Sequence, residues 1–246
     1  MLSNDPYMAD SAQAAAHSRP VTRLASRLSL DGEWDGALAL LDGQDGDTAG
    51  LRARILFDRH FWRLDDPAPA GRAAAGLEDL ALRGYLTAQL AYARILFDLG
   101  PRPDDEQTIR AGLREAARSE ELRGWATFFQ GVVADNVHAD DATARHCYDE
   151  ALALCRGRED LLLESYVVRH QAGHLIDSGQ PGGEMLLRRS LYLRSALGAR
   201  PPAAAAQAAL ASVLPPGTER DTLLRAARAA ASELGLTWLN NQLAAA

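Results

Sequence analysis

His170 and His174 stand four residues apart, so on a helix they share one face. Two imidazoles on one face are the beginning of a transition-metal site, and Glu164 or Asp177 could add a carboxylate from the same segment. A structural or catalytic site needs further ligands from other elements. The sequence offers no third ligand that converges on this pair. No metal ligand and no cofactor is therefore assigned, and weak or absent zinc binding is expected. His146 and Glu150 share another helix face and read as a solvent-side pair. Cys147 and Cys155 match no zinc spacing, and packing is the ordinary use of such thiols. Gly182-Gly183 follows Pro181 and reads as a turn and helix start rather than a phosphate cradle. Neither G-x-S-x-G nor G-x-x-x-x-G-K-[ST] occurs. No catalytic residue is assigned, and binding is expected in preference to catalysis.

The 246 residues carry 26 Lys plus Arg against 33 Asp plus Glu, a net charge of −7. Phosphate backbones attract basic faces, so no nucleic-acid partner is expected. No run approaches eighteen uncharged apolar residues, and the first sixteen residues lack the basic start and apolar run of a signal peptide. With only two cysteines, the expectation is a cytoplasmic chain with no membrane contact.

The elements that must position any site are helices. Apolar residues recur at spacings of three and four, and almost no segment alternates with period two. Residues 1–18 are polar, with a short helix expected at 12–16, and 19–246 read as one domain. Paired helices are expected at about 20–31 and 33–41, 49–64 and 71–80, 82–99 and 104–118, 122–137 and 140–155, 161–177 and 183–197, and 202–214 and 218–234. A turn-rich stop covers 42–47. The linker at 65–69 holds two prolines and cannot be helical throughout. Trp238 and Leu239 fall on a last short turn that would cover the end of the core.

Leu82-Arg83-Gly84-Tyr85 recurs forty residues later as Leu122-Arg123-Gly124-Trp125, and another forty reaches Leu162. Gly100, Ala139 and Gly179 mark turns at the same period. One helix pair cannot bury its own apolar face, whereas a stack of pairs can. Gly32, Trp34 and Ala37 resemble the inter-helix turn and second-helix start of a tetratricopeptide repeat. Ala144, Tyr148 and Ala151 resemble the small–aromatic–small series of such a second helix. Residues 186–198, ending in Leu197-Gly198, and the later Leu234-Gly235 are similar to the degenerate repeats of large bacterial transcriptional regulators and signalling ATPases. This resemblance implies an all-α superhelix of about six antiparallel pairs, used as a scaffold for a protein or peptide. The DNA-binding and nucleotide-binding modules of those regulators have no counterpart here.

In that family the first helix of each pair lines the concave wall. Taking the turns as register puts Thr87, Leu90, Arg94 and Phe97 inward from the third pair. The fourth contributes Phe129, Gln130, Val133 and Asn136, and the fifth Tyr166, Arg169, His170 and Asp177. The expected groove is Arg94, Phe97, Phe129, Gln130, Asn136, Tyr166, Arg169 and His170. Its rings would supply apolar contact, and its arginines would grip a peptide or a small acidic ligand. Two alternatives stand beside it. One is a small-ligand-binding or metal-dependent helical enzyme. The other is a homo-oligomeric module dimerising through the alanine-rich C-terminal end.

Overall fold

The computed structural model describes residues 20–43 and 48–245, and among these every regular element is an α-helix. In order they are α1 (Pro20–Asp31), α2 (Trp34–Leu41), α3 (Ala49–Arg63), α4 (Ala68–Ala75), α5 (Leu80–Leu96), α6 (Asp105–Ala116) and α7 (Glu120–Asn136). There follow α8 (Asp141–Arg158), α9 (Leu161–Asp177), α10 (Gly183–Ala196), α11 (Arg200–Val213), α12 (Thr218–Leu234) and α13 (Thr237–Ala245). None is long and apolar enough to cross a membrane. The expected polar segment 1–18, with its helix at 12–16, and most of the stop at 42–47 lie outside the described residues.

The forty-residue recurrence has a physical basis at the helix starts. Asp79, Ser119 and Asp160 cap α5, α7 and α9, each accepting a hydrogen bond from the N–H three residues on. Leu82, Leu122 and Leu162 follow these caps and are buried. The second pair departs from expectation. Its short helix α4 begins inside the proline linker, because a proline in the first turn lacks only an N–H that has no helical partner anyway. Asp66 Oδ1 accepts from Ala68 N at that start. Asp79 then begins α5 at Leu80, which ends any continuation of α4.

Consecutive helices pack as pairs, α1 with α2 through α11 with α12, and each pair packs on the next. Positions singled out in the sequence sit at these seams: Trp34, Ala37, Ala144, Tyr148 and Ala151 are all buried. Helices α5 and α6 approach closely, and a Cβ on Gly112 would come within 2.2 Å of the Gly84 carbonyl oxygen.

The array also meets itself. Helices α12 and α13 return to the first pairs, joining Leu234, Leu236 and Leu239 with Trp34, Leu41, Ile55 and Trp62 in one core. Trp62 and Trp238 stack at 5.3 Å. Gly32 lies on this seam with φ +87°, where a Cβ would sit 3.0 Å from Leu234 Cδ1 and 3.1 Å from Pro201 Cγ, so both backbone and space require glycine. The C-terminal alanines Ala204, Ala227 and Ala231 face this internal core. Trp238 and Leu239 therefore cover the core as expected, from a full helix rather than a turn.

Candidate functional site

Four successive first helices, α3, α5, α7 and α9, wall a cleft of about 130 Å³. Helix α3 gives Phe57 and Phe61 with Arg54 and Asp58 on the adjoining stripe; α5 gives Tyr85 and Gln89. Helix α7 gives Trp125, Phe128 and Phe129, and α9 closes the far side with Tyr166. The rings brace one another edge to face. Phe129 lies 5.9 Å from Tyr85 and 5.4 Å from Tyr92, and Trp125 lies 5.7 Å from Tyr166. Such geometry aligns ring edges with ring faces and fixes the wall. Burial pushes the Tyr166 phenol up to about 12 and raises that of Tyr85 further, so both stay neutral hydrogen-bonding groups. Trp125 is anchored by its Nε1–H, which donates to Asp160 Oδ2 at 2.9 Å. Arg194 places its guanidinium 4.4 Å from the centre of the Tyr166 ring.

A second cluster lies at the C-terminal ends of α7 and α9. Tyr148 Oη donates to Asp135 Oδ2 at 3.0 Å and lies 3.1 Å from His170 Nδ1. A phenol has one proton to donate, so His170 Nδ1–H is the donor to Tyr148 in this arrangement. Burial drives the His170 pKa down to about 4, against the opposing pull of Asp135, which leaves the ring neutral near pH 7. His170 in turn holds the Asp135 carboxyl below its usual range, with burial acting the other way. His174 Nε2 lies 3.3 Å from Asp135 Oδ2.

The eight residues expected in the groove divide among several environments. Phe129 and Tyr166 line the cleft. Asn136, Arg169 and His170 gather at the second cluster. Asn136 Nδ2 donates to Tyr92 Oη at 2.6 Å. Burial lowers the Arg169 pKa, while Tyr148 and Asp135 act to raise it. Arg94 turns to its own pair: its Nε lies 3.1 Å from both carboxylate oxygens of Asp105, and its Nη2 also donates to that carboxylate. Phe97 packs on Phe61 and Trp238 at the seam. Gln130 is exposed.

The difference is one of register. Each residue turns a helix face by about 100°, and α5 presents Tyr85, Leu86 and Gln89 to the cleft rather than Thr87, Leu90 and Arg94. The contribution of α3 has no counterpart in the expected groove. Phe57 and Phe61, with Arg54 and Asp58, form two parallel i,i+4 rows that would have marked it. The His170/His174 face does meet an acid, but Asp135 of α7 supplies it. Glu164 lies instead beside Arg189 at 3.2 Å, and Asp177 is exposed.

Comparison of the chain with protein-family models, with curated proteins and with solved structures finds no match.

Proposed function

We propose that the chain is a tetratricopeptide-like superhelix of six helix pairs that binds a small aromatic acid in the cleft between α3, α5, α7 and α9. The observation that carries this reading is the convergence of rings from all four helices on one hollow that also holds Arg54, Asp58 and Gln89. Ligand sites are mostly apolar with a few directed polar groups. A volume of about 130 Å³ is close to that of an engineered cavity of roughly 150 Å³ that takes up benzene. It suits one ring and not a peptide backbone, which favours the small-ligand alternative over the peptide groove. Arg54 is the group to take the anionic end, since a guanidinium presents paired donors to a carboxylate. The role proposed is binding, with no catalytic residue, in a chain that acts on neither nucleic acid nor membrane.

The test is quenching of tryptophan fluorescence by phenylacetate, indole-3-acetate and their neutral amides, since Trp62 and Trp125 line the cleft. The acids are expected to bind, and Arg54→Gln to weaken them about tenfold while leaving the amides unchanged, the worth of one charge-assisted hydrogen bond. No saturable binding of any of these compounds at millimolar concentration would overturn the reading.

The protein-partner reading retains one supporting observation, on the outer face. Met185 and Tyr192 of α10 are 67% and 65% exposed, two turns apart, with Arg189 over the Tyr192 ring at 5.9 Å. Capture of a host protein by the wild type but not by a Met185→Ser/Tyr192→Ser variant would move the functional surface there.

A further inference from the structure

We propose that His174, Asp135 and Asp141 bind a divalent transition-metal ion of the zinc class at the turn between α7 and α8. One ligand atom from each residue, the ring nitrogen of His174 and an oxygen of each aspartate, lies within 4.8 Å of the other two. The three come from different elements: Asp135 from the last turn of α7, Asp141 from the first turn of α8, and His174 from the last turn of α9. This is the convergence that a helix-face histidine pair lacks on its own.

The second observation is at His174 itself. Its side chain is only 11% exposed, and its Nε2 is buried with no hydrogen bond among the described residues. The nearby Asp135 oxygen, 3.3 Å away, does not form a hydrogen bond with this nitrogen. A buried ring nitrogen that forgoes a hydrogen bond costs stability unless something else takes its lone pair. A cation between the imidazole and the two carboxylates would do so. Zinc–ligand distances of about 2.0–2.2 Å require the three atoms to draw together slightly. Asp141 can supply that movement, because its side chain is 63% exposed and, among the described residues, is paired with Arg145 across the surface at 3.2 Å.

The surroundings fit a metal centre. Tyr148 donates to Asp135 Oδ2 and thereby orients the carboxylate, and His170 orients Tyr148. Outer hydrogen bonds of this kind fix the direction of metal ligands and raise affinity. One nitrogen and two carboxylate oxygens leave positions for water, so the site is open. Nitrogen and oxygen donors with no thiolate suit zinc, cobalt or manganese. Cys147 is not among the three donors.

The experiment uses the full chain stripped of metal by chelation. Cobalt(II) is titrated in and followed by its visible d–d absorption, and zinc is then added in competition. The wild type is expected to bind one ion per chain. His174→Ala and Asp141→Asn should each weaken binding by at least tenfold, and Tyr148→Phe by about tenfold, as outer partners do elsewhere. Asp141 is exposed, so its variant keeps the test sound if the buried His174→Ala fails to fold. His146→Ala on the outer face of α8 serves as control and should bind as the wild type does. No cobalt or zinc uptake at 1 mM would overturn the proposal. So would uptake unchanged in Asp141→Asn, or uptake lost only in His146→Ala. These outcomes are independent of the aromatic cleft, which is read by tryptophan quenching in metal-free protein.

Discussion

Arg63 Nε on α3 donates to the Leu234 carbonyl at the end of α12, at 3.2 Å and across 171 positions of sequence. The last carbonyls of a helix have no partner within it, and Arg63 satisfies one of them from the opposite end of the chain. The same guanidinium reaches Asp35 at 2.7 Å and lies 5.1 Å from the centre of the Trp34 ring. One residue thus ties three parts of the seam.

If that seam is a structural core rather than a loose end-to-end contact, Trp238→Ala will be costly. The lost stack on Trp62 and the cavity left behind predict a loss of about 2 kcal/mol, below the range for a fully buried tryptophan because Trp238 is only partly buried. Urea unfolding followed by circular dichroism measures it. A change under about 0.5 kcal/mol would mean that α13 is peripheral.

The Arg94–Asp105 pair predicts a pH dependence. The Asp105 side chain is 1% exposed. Its burial alone would raise the pKa, but the Arg94 hydrogen bonds and the Arg102 backbone N–H outweigh it and hold the carboxyl below its ordinary value. A lowered folded pKa contributes stability above the unfolded value, near pH 4, and this is lost as pH falls through the folded pKa. Asp105→Asn should remove that part of the acid sensitivity. Arg94→Met, which leaves a buried charge without its partner, should cost about 3–5 kcal/mol at pH 7.

Gly112→Ala tests the close packing of α5 on α6. Its Cβ would meet the backbone oxygen of Gly84, which cannot swing aside as a side chain can. Overpacking of this kind costs about 1–3 kcal/mol, and thermal unfolding should show a lowered midpoint with helical content retained. Gly71→Ala, on α4 with nothing within 4 Å of its Cβ, should be neutral or stabilising and is the matched control.

The thiols should be silent in the folded protein. Burial raises both, Cys155 to about 12, and the reacting species is the thiolate. Ellman's reagent is expected to titrate neither at pH 7.5 until denaturant is added, and then both. Prompt reaction of Cys155 in native buffer would show that α8 opens locally.

The helix pairs were legible in the sequence because their determinants are local: caps at Asp79, Ser119 and Asp160, and apolar spacing between them. The cleft was legible only in part. Phe129 and Tyr166 fell inside the expected stripe, but a face turned by one residue put Leu86 and Gln89 where Thr87 and Leu90 were expected, and Arg94 turned away to Asp105. The partner of Arg94, Asp105, lies across a turn whose course two prolines obscure. Asp135 and Asp141 were invisible as a pair with His174, since only the packing of α9 onto α7 and α8 brings them together. Closure through Arg63 and Leu234 left no sequence mark, because contacts between chain ends have no period.

The seam also has a consequence for how the protein is made. Trp34, Ile55 and Trp62 leave the ribosome about 170 residues or more ahead of the residues that cover them, Leu234 to Leu243. At elongation rates of about 5–20 residues per second, that interval is on the order of 10–35 s. For that time the nascent chain carries an apolar surface with no mate, the kind of surface chaperones shield. Completion of the last two helices, rather than formation of any single repeat, is then the event that ends its exposure.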